Sequence, residues 1–198
     1  EIVVTEGGFA SDLGMEKFLN IVCRAGNLRP SAIVLVATAR ALEHHGGNPG
    51  GGAEAIEAGA ANLARHIGIV KSFGLEAVVG VNRFPGDSDE DVELVRSLAL
   101  KHGAHAAELN EGFERGGEGA AALAEAVMSA CESKSSFHFT YESADPIEEK
   151  IRKIATTVYG ADGVTFLPAA KARIAAYREA GYGEFPICMA KTHMSLSD

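Results

Sequence analysis

Apolar runs and helical patterns alternate along the first two thirds of the chain. Short apolar runs bounded by turn residues are typical of strands buried in a parallel sheet, whereas apolar residues spaced three and four apart are typical of helices. The runs predict strands at residues 2–5, 32–38, 77–82 and 105–109, and the spacing predicts helices at residues 15–24, 53–73, 89–102 and 118–130. Strands joined by helices of this length need crossover connections, so the pattern predicts an α/β fold with a parallel sheet.

The pattern changes after Cys131. A polar break at residues 133–136 is followed by an extended run at 137–141, and a stripe of apolar residues then predicts a helix that opens at Pro146 and ends near Gly160. A short strand at 164–167, a helix at 168–180 and an extended run at 186–190 complete the chain. We therefore predict two domains, an α/β domain at residues 1–132 and a smaller α+β segment at residues 133–198.

Composition narrows the class of protein. With 198 residues, 46% of them apolar, the chain is long enough to bury a core without disulfides. A net charge of -9 argues against nucleic acid or an anionic membrane as the main partner, and no apolar stretch is long enough for a membrane span. The cysteines are Cys23, Cys131 and Cys188, an odd number without a CxxC pair, which favours buried thiols in a reducing cytosol. The first residues read as a strand already under way, so we expect a piece of a longer protein.

Polar, glycine-rich or aromatic loops follow each of the four predicted strands of the first domain. Because parallel strands end at the same edge of a sheet, and ligands bind beyond that edge, these loops predict one binding site. They comprise residues 6–14, residues 39–52, residues 82–87 and residues 110–119.

The first of these loops permits two interpretations that the spacing does not separate. Gly7, Gly8 and Gly14 permit the positive φ angles of an anion-binding nest, beside which Asp12 would hold a cation or orient a water. Alternatively, the glycines form a tight turn and Asp12 caps the helix that begins near Gly14.

Three other patterns are poor matches to known ligand sites. The glycine patch at residues 46–52 lacks the Gly-Lys-Ser/Thr ending of a phosphate loop, and Pro49 removes an amide donor, so a lid or a surface loop is favoured. His44 and His45 are adjacent, unlike the i, i+4 pair of a zinc helix. The acidic residues after Asp87 lack the glycine of a calcium loop and suit the first turn of a helix, with Ser88 and Asp91 in capping-box positions.

Two phenylalanines occupy loop positions beyond strand ends. Phe84 follows the strand at 77–82, and Phe113 follows the strand at 105–109. Two rings beside one cleft could hold a planar heterocycle between them. Considered singly, phenylalanines are more often core residues, so both interpretations stay open.

Several segments closely resemble formate–tetrahydrofolate ligase, also called formyltetrahydrofolate synthetase, and the order and spacing agree along essentially the whole chain. They are Val-Val-Thr-Glu-Gly-Gly-Phe-Ala-Ser-Asp-Leu-Gly-Met-Glu-Lys-Phe at 3–18, Val-Ala-Thr-Ala-Arg-Ala-Leu at 36–42, Asn-Arg-Phe-Pro at 82–85, Gly-Gly-Glu-Gly at 116–119 and Pro-Ile-Cys-Met-Ala-Lys-Thr at 186–192. The resemblance implies a three-layer parallel sheet of the P-loop NTPase-like type, of which this chain is a part. It also implies a reaction in which ATP phosphorylates formate and the formyl group passes to N10 of tetrahydrofolate.

The resemblance assigns roles to individual residues. Folate stacking falls to Phe84, Pro85 and Phe113, although the family often has tryptophan at the position of Phe113. The first loop departs slightly in its small residues and is implied to lie near the formyl phosphate. Catalytic roles there fall to Glu6, Gly8 and Asp12, and nucleotide contacts to Arg40 and Asn82.

The resemblance further implies ATP, Mg²⁺ and a monovalent cation, K⁺ or NH₄⁺, as cofactors, without naming metal ligands. It implies a cytoplasmic enzyme that assembles as a homotetramer and binds formate and tetrahydrofolate. One family feature is missing, since no Gly-x-x-x-x-Gly-Lys-Ser/Thr occurs in the sequence. We therefore expect an internal fragment of the ligase that does not catalyse alone.

Two other functions remain open from sequence. The missing phosphate loop is compatible with a non-catalytic binding or assembly module of the same fold. A nucleotide-binding regulator that uses Asn82 to read a base would instead bind adenine or guanine nucleotides without folate.

Overall fold

The computed structural model describes residues 2–191 and residue 196. Thr192, the last residue of the final resembling segment, lies outside the described residues. The strands are β1 (Ala32–Ala37), β2 (Glu76–Asn82) and β3 (Ala106–Asn110). The α-helices are α1 (Arg24–Gly26), α2 (Ala39–His45), α3 (Gly52–Ser72), α4 (Asp89–Lys101), α5 (Gly112–Arg115), α6 (Ala121–Glu132), α7 (Ile147–Ile154) and α8 (Pro168–Glu179).

The described strands form one parallel sheet in the order β1-β2-β3. Val34 of β1 is level with Val78 of β2, and Val79 of β2 is level with Ala107 of β3. Each connection between strands contains a helix, as crossovers in a parallel sheet require. The predicted α/β fold with a parallel sheet is confirmed.

The central strand β2 is the most buried part of the sheet. Ala77, Val78, Val79 and Val81 are fully buried, because β2 pairs on both sides and helices pack against it. At Gly80 a Cβ atom would lie 3.0 Å from the Leu123 side chain of α6, so a glycine allows α6 to approach the sheet closely. The strand that precedes the predicted site therefore lies in the core.

The edge strand β1 differs from the buried strand that its apolar run predicts. Val36 is 66% exposed, and Val34 is also exposed. Both residues lie on the face of the sheet that α6 covers above β2 and β3. An apolar run shows that a strand is suited to burial, but not how many neighbours it has.

Helices α2 and α3 approach each other through glycines. A Cβ atom at Gly59 would lie 1.9 Å from the Leu42 carbonyl oxygen, and one at Gly46 would lie 2.1 Å from the Ala55 carbonyl oxygen. Glu43 of α2 accepts hydrogen bonds from the backbone N–H groups of Gly50 and Gly52, each at 3.0 Å. The exposed glycine patch is thus tied to α2 by a carboxylate.

Two predicted helix boundaries are confirmed. Ser88 caps α4 by accepting from the Asp91 N–H at 3.1 Å, and its hydroxyl donates to the Asp91 carboxylate at 2.8 Å. Gly160 ends the helix that begins at Ile147 in the left-handed conformation, with φ of +73°. The last turn of that helix, Ala155–Tyr159, is wound as a π-helix.

The chain divides into two compact units. One unit contains residues 30–137 with the whole sheet, and the other combines residues 1–29 with residues 138–198. The sequence instead predicts a division at residue 132 with the first 29 residues on the sheet side. The predicted domains at residues 1–132 and 133–198 stay a prediction.

The second unit has helices but no strand within its described residues. Residues 2–5, 164–167 and 186–190, which the sequence predicts as extended or as strands, pair with no neighbouring strand, and neither does the run at 137–141 at the junction of the units. The β part of the predicted α+β segment is therefore wrong for the described residues. A short apolar run becomes a strand only where another strand accepts its hydrogen bonds.

Side chains replace strand pairing in the second unit. Asn20 donates to the Thr140 hydroxyl and accepts from the Thr140 N–H, each at 3.0 Å. Arg24 donates to the Tyr141 carbonyl oxygen at 2.6 Å, and its guanidinium carbon lies 3.9 Å from the Phe139 ring centroid. The extended segment around Tyr141 is thereby fixed along the helical residues that include Asn20 and Arg24.

The cysteines only partly follow the prediction of buried thiols. Cys23 is buried, and burial raises the pKa of its thiol. Cys131 and Cys188 are exposed, which corrects the prediction for those two.

Candidate functional site

Three of the four predicted loops follow the carboxyl ends of the described sheet. The second of them is helical rather than irregular, since α2 begins at Ala39 directly after β1. Thr38 caps α2 by accepting from the Ala41 N–H at 3.0 Å. The first loop, residues 6–14, belongs to the other compact unit, so its convergence with the rest stays a prediction.

Asn82 and Asn110 are the last residues of β2 and β3 at this edge of the sheet. They are level with each other at the ends of β2 and β3, and Asn110 Nδ2 donates to Asn82 Oδ1 at 2.7 Å. Asn110 Oδ1 accepts from the Gly112 N–H at 3.1 Å, which fixes the start of α5. The Nδ2 group of Asn82 donates to none of the described residues, so it remains available to a ligand.

A tight turn after β2 exposes an aromatic ring. The Phe84 N–H donates to Asp87 Oδ2 at 2.9 Å, and the Asp87 N–H donates to the Phe84 carbonyl oxygen at 3.0 Å. Gly86 completes the turn with φ of +100°, a conformation that favours glycine. The Phe84 side chain is 43% exposed, and Pro85 is exposed beside it.

Arg40 joins α2 to this turn. Its Nη2 donates to the Pro85 carbonyl oxygen at 2.7 Å, and its Nε lies 3.5 Å from Asp87 Oδ1. Its guanidinium carbon lies 5.1 Å from the Phe84 ring centroid, within the range of a cation–π contact. Arg40 therefore supports the turn, while more than half of its side chain stays exposed to solvent and to a ligand.

Phe113 lies in the short helix α5 after β3, and its ring is fully exposed. The alternative interpretation, in which Phe84 and Phe113 are core residues, is wrong for both. Both rings present a large part of their apolar surface to solvent. Each ring follows one of two adjacent strands at the same edge of the sheet.

Sequence reasoning missed an ionic network between these two loops. Glu111 Oε1 lies 3.5 Å from Arg83 Nη1, and Glu111 Oε2 accepts from Arg115 Nη1 at 2.9 Å. Arg83 also donates to Asp89, and this hydrogen bond, more than the contact with Glu111, raises the pKa of the Arg83 guanidinium. The only signal in the sequence is that each phenylalanine has charged neighbours, which most loops share.

The first loop is built differently from the predicted nest. Gly7, Gly8 and Gly14 all avoid positive φ, and the residue with φ of +64° is Phe9. A Cβ atom at Gly14 would lie 1.9 Å from the Gly8 carbonyl oxygen, so this glycine serves a close crossing of two backbone segments. Glu6 and Gly8 are exposed on the segment that crosses.

Asp12 is fully buried beneath this loop. It does not cap a helix, because the helical segment Ser11–Met15 begins one residue before it with Ala10 at the cap. Its Oδ2 accepts from Lys191 Nζ at 2.9 Å and from the Leu196 N–H at 3.3 Å. The Lys191 ammonium therefore lies where the sequence predicts that Asp12 would hold a cation.

Further buried polar groups surround this ion pair. Glu16 is fully buried, its Oε1 accepts from Asn20 Nδ2 at 2.9 Å, and its Oε2 has no hydrogen-bond partner among the described residues. Burial raises the pKa of Glu16, despite the opposing hydrogen bond from Asn20. The Tyr159 hydroxyl is also buried and contacts no hydrogen-bond partner in the part of the chain that the structure describes, and burial, reinforced by Glu16 and Asp12, raises its pKa.

Within residues 2–191 and 196, no three histidine, cysteine or acidic side chains come together as metal ligands would. Among the helices of those residues, none is long and apolar enough to cross a bilayer.

Comparison with known proteins gives one consistent family. The sequence model of the family described as formate–tetrahydrofolate ligase matches residues 1–198. The chain, over its whole length, is 45% identical to a formate–tetrahydrofolate ligase of Cutibacterium acnes and 48% identical to one of Desulforamulus reducens, covering 37% of each. Over 98% of its length it is 45% identical to the human protein named C-1-tetrahydrofolate synthase, cytoplasmic, of which it covers 22%. The chain thus spans little more than a third of these bacterial relatives.

Proposed function

The chain belongs to the formate–tetrahydrofolate ligase family, and we propose that it carries the folate-binding part of an ATP-dependent ligase that joins formate to tetrahydrofolate. The observation that carries the proposal is the pair of exposed rings, Phe84 and Phe113, at the ends of adjacent strands. A planar pterin fits between aromatic faces, each worth about 1 kcal/mol beyond the area it buries.

The proposed reaction has two steps. ATP first phosphorylates formate, so that the anhydride formyl phosphate and ADP form. N10 of tetrahydrofolate then attacks the formyl carbon, the carbon–oxygen bond to phosphate breaks, and N10 loses a proton to give 10-formyltetrahydrofolate. The chain's part in this scheme is to hold and orient the pterin, so that N10 is within reach of the formyl carbon.

Residues beside the rings suit the polar groups of the substrates. The Nδ2 group of Asn82 is available at the edge of the sheet, and Arg40 places an exposed positive charge next to Phe84. We assign Arg40 and Asn82 to the nucleotide or to the polar groups of the substrate. Glu6 and Gly8 are accessible for the formyl phosphate, whereas buried Asp12 would act by supporting their loop.

The double variant Phe84→Ala/Phe113→Ala tests this proposal in the full-length gene product. Loss of both rings should weaken tetrahydrofolate binding by roughly thirtyfold, because two stacking contacts disappear. Titration calorimetry measures the affinity, and Phe185→Ala serves as the control because Phe185 is an exposed phenylalanine of the other unit. An unchanged affinity in the double variant would overturn the assignment.

The 198-residue chain alone should not catalyse. Phosphoryl transfer needs amides and a lysine around the phosphates, and no phosphate-loop motif occurs in this sequence. A coupled assay for formate-dependent ADP release tests this part separately. Measurable turnover by the isolated chain would contradict it, while leaving the folate site untouched.

Other family properties complete the proposal. We expect a P-loop NTPase-like arrangement of the whole enzyme, a homotetramer and a cytoplasmic location. ATP with Mg²⁺ and a K⁺ or NH₄⁺ ion are the expected cofactors. The described residues offer no cluster that fits a metal, so we assign neither a ligand nor a catalytic step to these ions.

A further inference from the structure

Glu111 lies at the start of the loop that carries Phe113 and faces the loop that carries Phe84. One of its carboxylate oxygens faces Arg83, the residue before Phe84, at 3.5 Å. The other accepts a hydrogen bond from Arg115, two residues after Phe113, at 2.9 Å. A single carboxylate thus connects both loops, and its side chain is only 18% exposed.

The backbone of Glu111 is held as firmly as its side chain. Its N–H donates to the Gly119 carbonyl oxygen at 3.0 Å, and its own carbonyl oxygen accepts from the N–H groups of Glu114 and Arg115. A Cβ atom at Gly119 would lie 2.5 Å from the Glu111 carbonyl oxygen, so the glycine turn closes directly over it. The carboxylate therefore projects from a fixed point.

We propose that Glu111 is a positioning residue that sets the separation of Phe84 and Phe113 for a planar ligand. The proposal rests on the folate-binding function above. Two features of glutamate suit this task, since its two oxygens serve two different arginines and its charge strengthens both contacts. Arg83 is also held by Asp89, which already orders the first loop. Glu111 therefore contributes the contact between the two loops.

This role differs from general stabilisation in what it predicts for two ligands. If Glu111 sets the spacing of the rings, removing its charge weakens the binding of the stacked ligand and spares the nucleotide. If Glu111 only stabilises the fold, its loss affects both ligands to a similar degree or neither.

The test measures the dissociation constants of tetrahydrofolate and ATP by calorimetry in the full-length gene product. Glu111→Gln should weaken tetrahydrofolate binding roughly fivefold, the upper range for a partly exposed ion pair, with ATP binding changed less than twofold. Glu111→Asp keeps the charge and should recover part of the loss. The matched control is Glu108→Gln, because Glu108 pairs with Arg96 at 3.0 Å in the same sheet without reaching either ring.

Two results would overturn the proposal: tetrahydrofolate affinity unchanged in Glu111→Gln, or equal weakening of both ligands. If Glu111→Gln fails to fold, Arg115→Gln removes one arm at an exposed side chain and should weaken tetrahydrofolate binding about twofold to threefold. No effect there would equally count against the proposal.

A double-mutant cycle separates this proposal from the function on which it rests. The losses caused by Phe84→Ala and Phe113→Ala should be coupled in the wild type and additive in the Glu111→Gln background. If the ring variants weaken binding but the coupling is the same in both backgrounds, the positioning role is wrong and the folate site stands. If the ring variants leave binding unchanged, both proposals fail.

Discussion

Asn110 donates a 2.7 Å hydrogen bond to Asn82 across the carboxyl ends of the two strands that precede the exposed rings. The same Asn110 side chain accepts from the Gly112 N–H and so fixes the beginning of α5, which carries Phe113. One amide side chain therefore links the two strand ends and the start of the following loop.

Replacing Asn110 by alanine should lower the free energy of unfolding by about 1–2 kcal/mol, because two hydrogen bonds are lost from a partly buried site. Urea denaturation of the full-length gene product measures the change. Asn82→Ala loses only the first of these bonds and should cost less. Equal losses for the two single variants would show that the contact with Gly112 contributes nothing.

Gly14 should not tolerate a side chain, because a Cβ atom there would overlap the Gly8 carbonyl oxygen. We expect Gly14→Ala to lower the free energy of unfolding by about 2–3 kcal/mol, as overpacking does. The control is Gly68→Ala, since Gly68 is exposed inside α3 with no atom within 4 Å of a Cβ. That control should gain about 0.5–1 kcal/mol from better helix propensity. Thermal unfolding measures both, and a tolerated Gly14→Ala would show that the crossing can widen.

Sequence patterns predicted those features that depend only on residues close together in the chain. The apolar run of β2 places Asn82 at the end of a buried strand, and Ser88 with Asp91 forms the predicted cap of α4. Gly160 ends its helix as its position suggests. In each case a few neighbouring residues contain the whole physical cause, so the sequence is sufficient.

Contacts between distant residues could not be predicted in this way. Asp12 pairs with Lys191, which is 179 positions away, and nothing near either residue indicates the other. Glu111 reaches Arg83 only because β2 and β3 are adjacent. Residues 2–5 show the converse, because an apolar run without a partner strand among the described residues stays exposed. Pairing in three dimensions decides such cases.

Removing one charge of the buried pair of Asp12 and Lys191 should lower the free energy of unfolding more than replacing both residues by apolar ones. Asp12→Asn removes the carboxylate charge that pairs with the Lys191 ammonium, and we expect a loss of about 3–5 kcal/mol in the free energy of unfolding. Asp12→Leu combined with Lys191→Met removes both charges and should recover part of that loss, because the Leu196 N–H still loses the Asp12 oxygen. Urea denaturation compares the variants. If the single and double variants are equally destabilised, packing rather than charge dominates at Asp12.

Glu16 should make the protein less stable as the pH rises. Its carboxyl is fully buried, and burial raises its pKa above the ordinary glutamate value, so the folded state binds the proton more tightly than the unfolded state does. The free energy of unfolding is then largest below the unfolded pKa of about 4.3 and falls as the pH rises through the folded pKa.

Glu16→Gln removes this dependence, because glutamine carries no charge and can still accept from Asn20. The variant should be more stable than the wild type at pH 7, and its advantage should shrink as the pH falls towards 4. Urea denaturation between pH 4 and pH 8 measures the difference, with Glu57→Gln as the control because Glu57 is exposed on α3. The Glu57 variant should follow the wild type across this range. A constant difference between Glu16→Gln and the wild type at every pH would show that the Glu16 carboxyl titrates alike in both states, so that its burial carries no charge penalty.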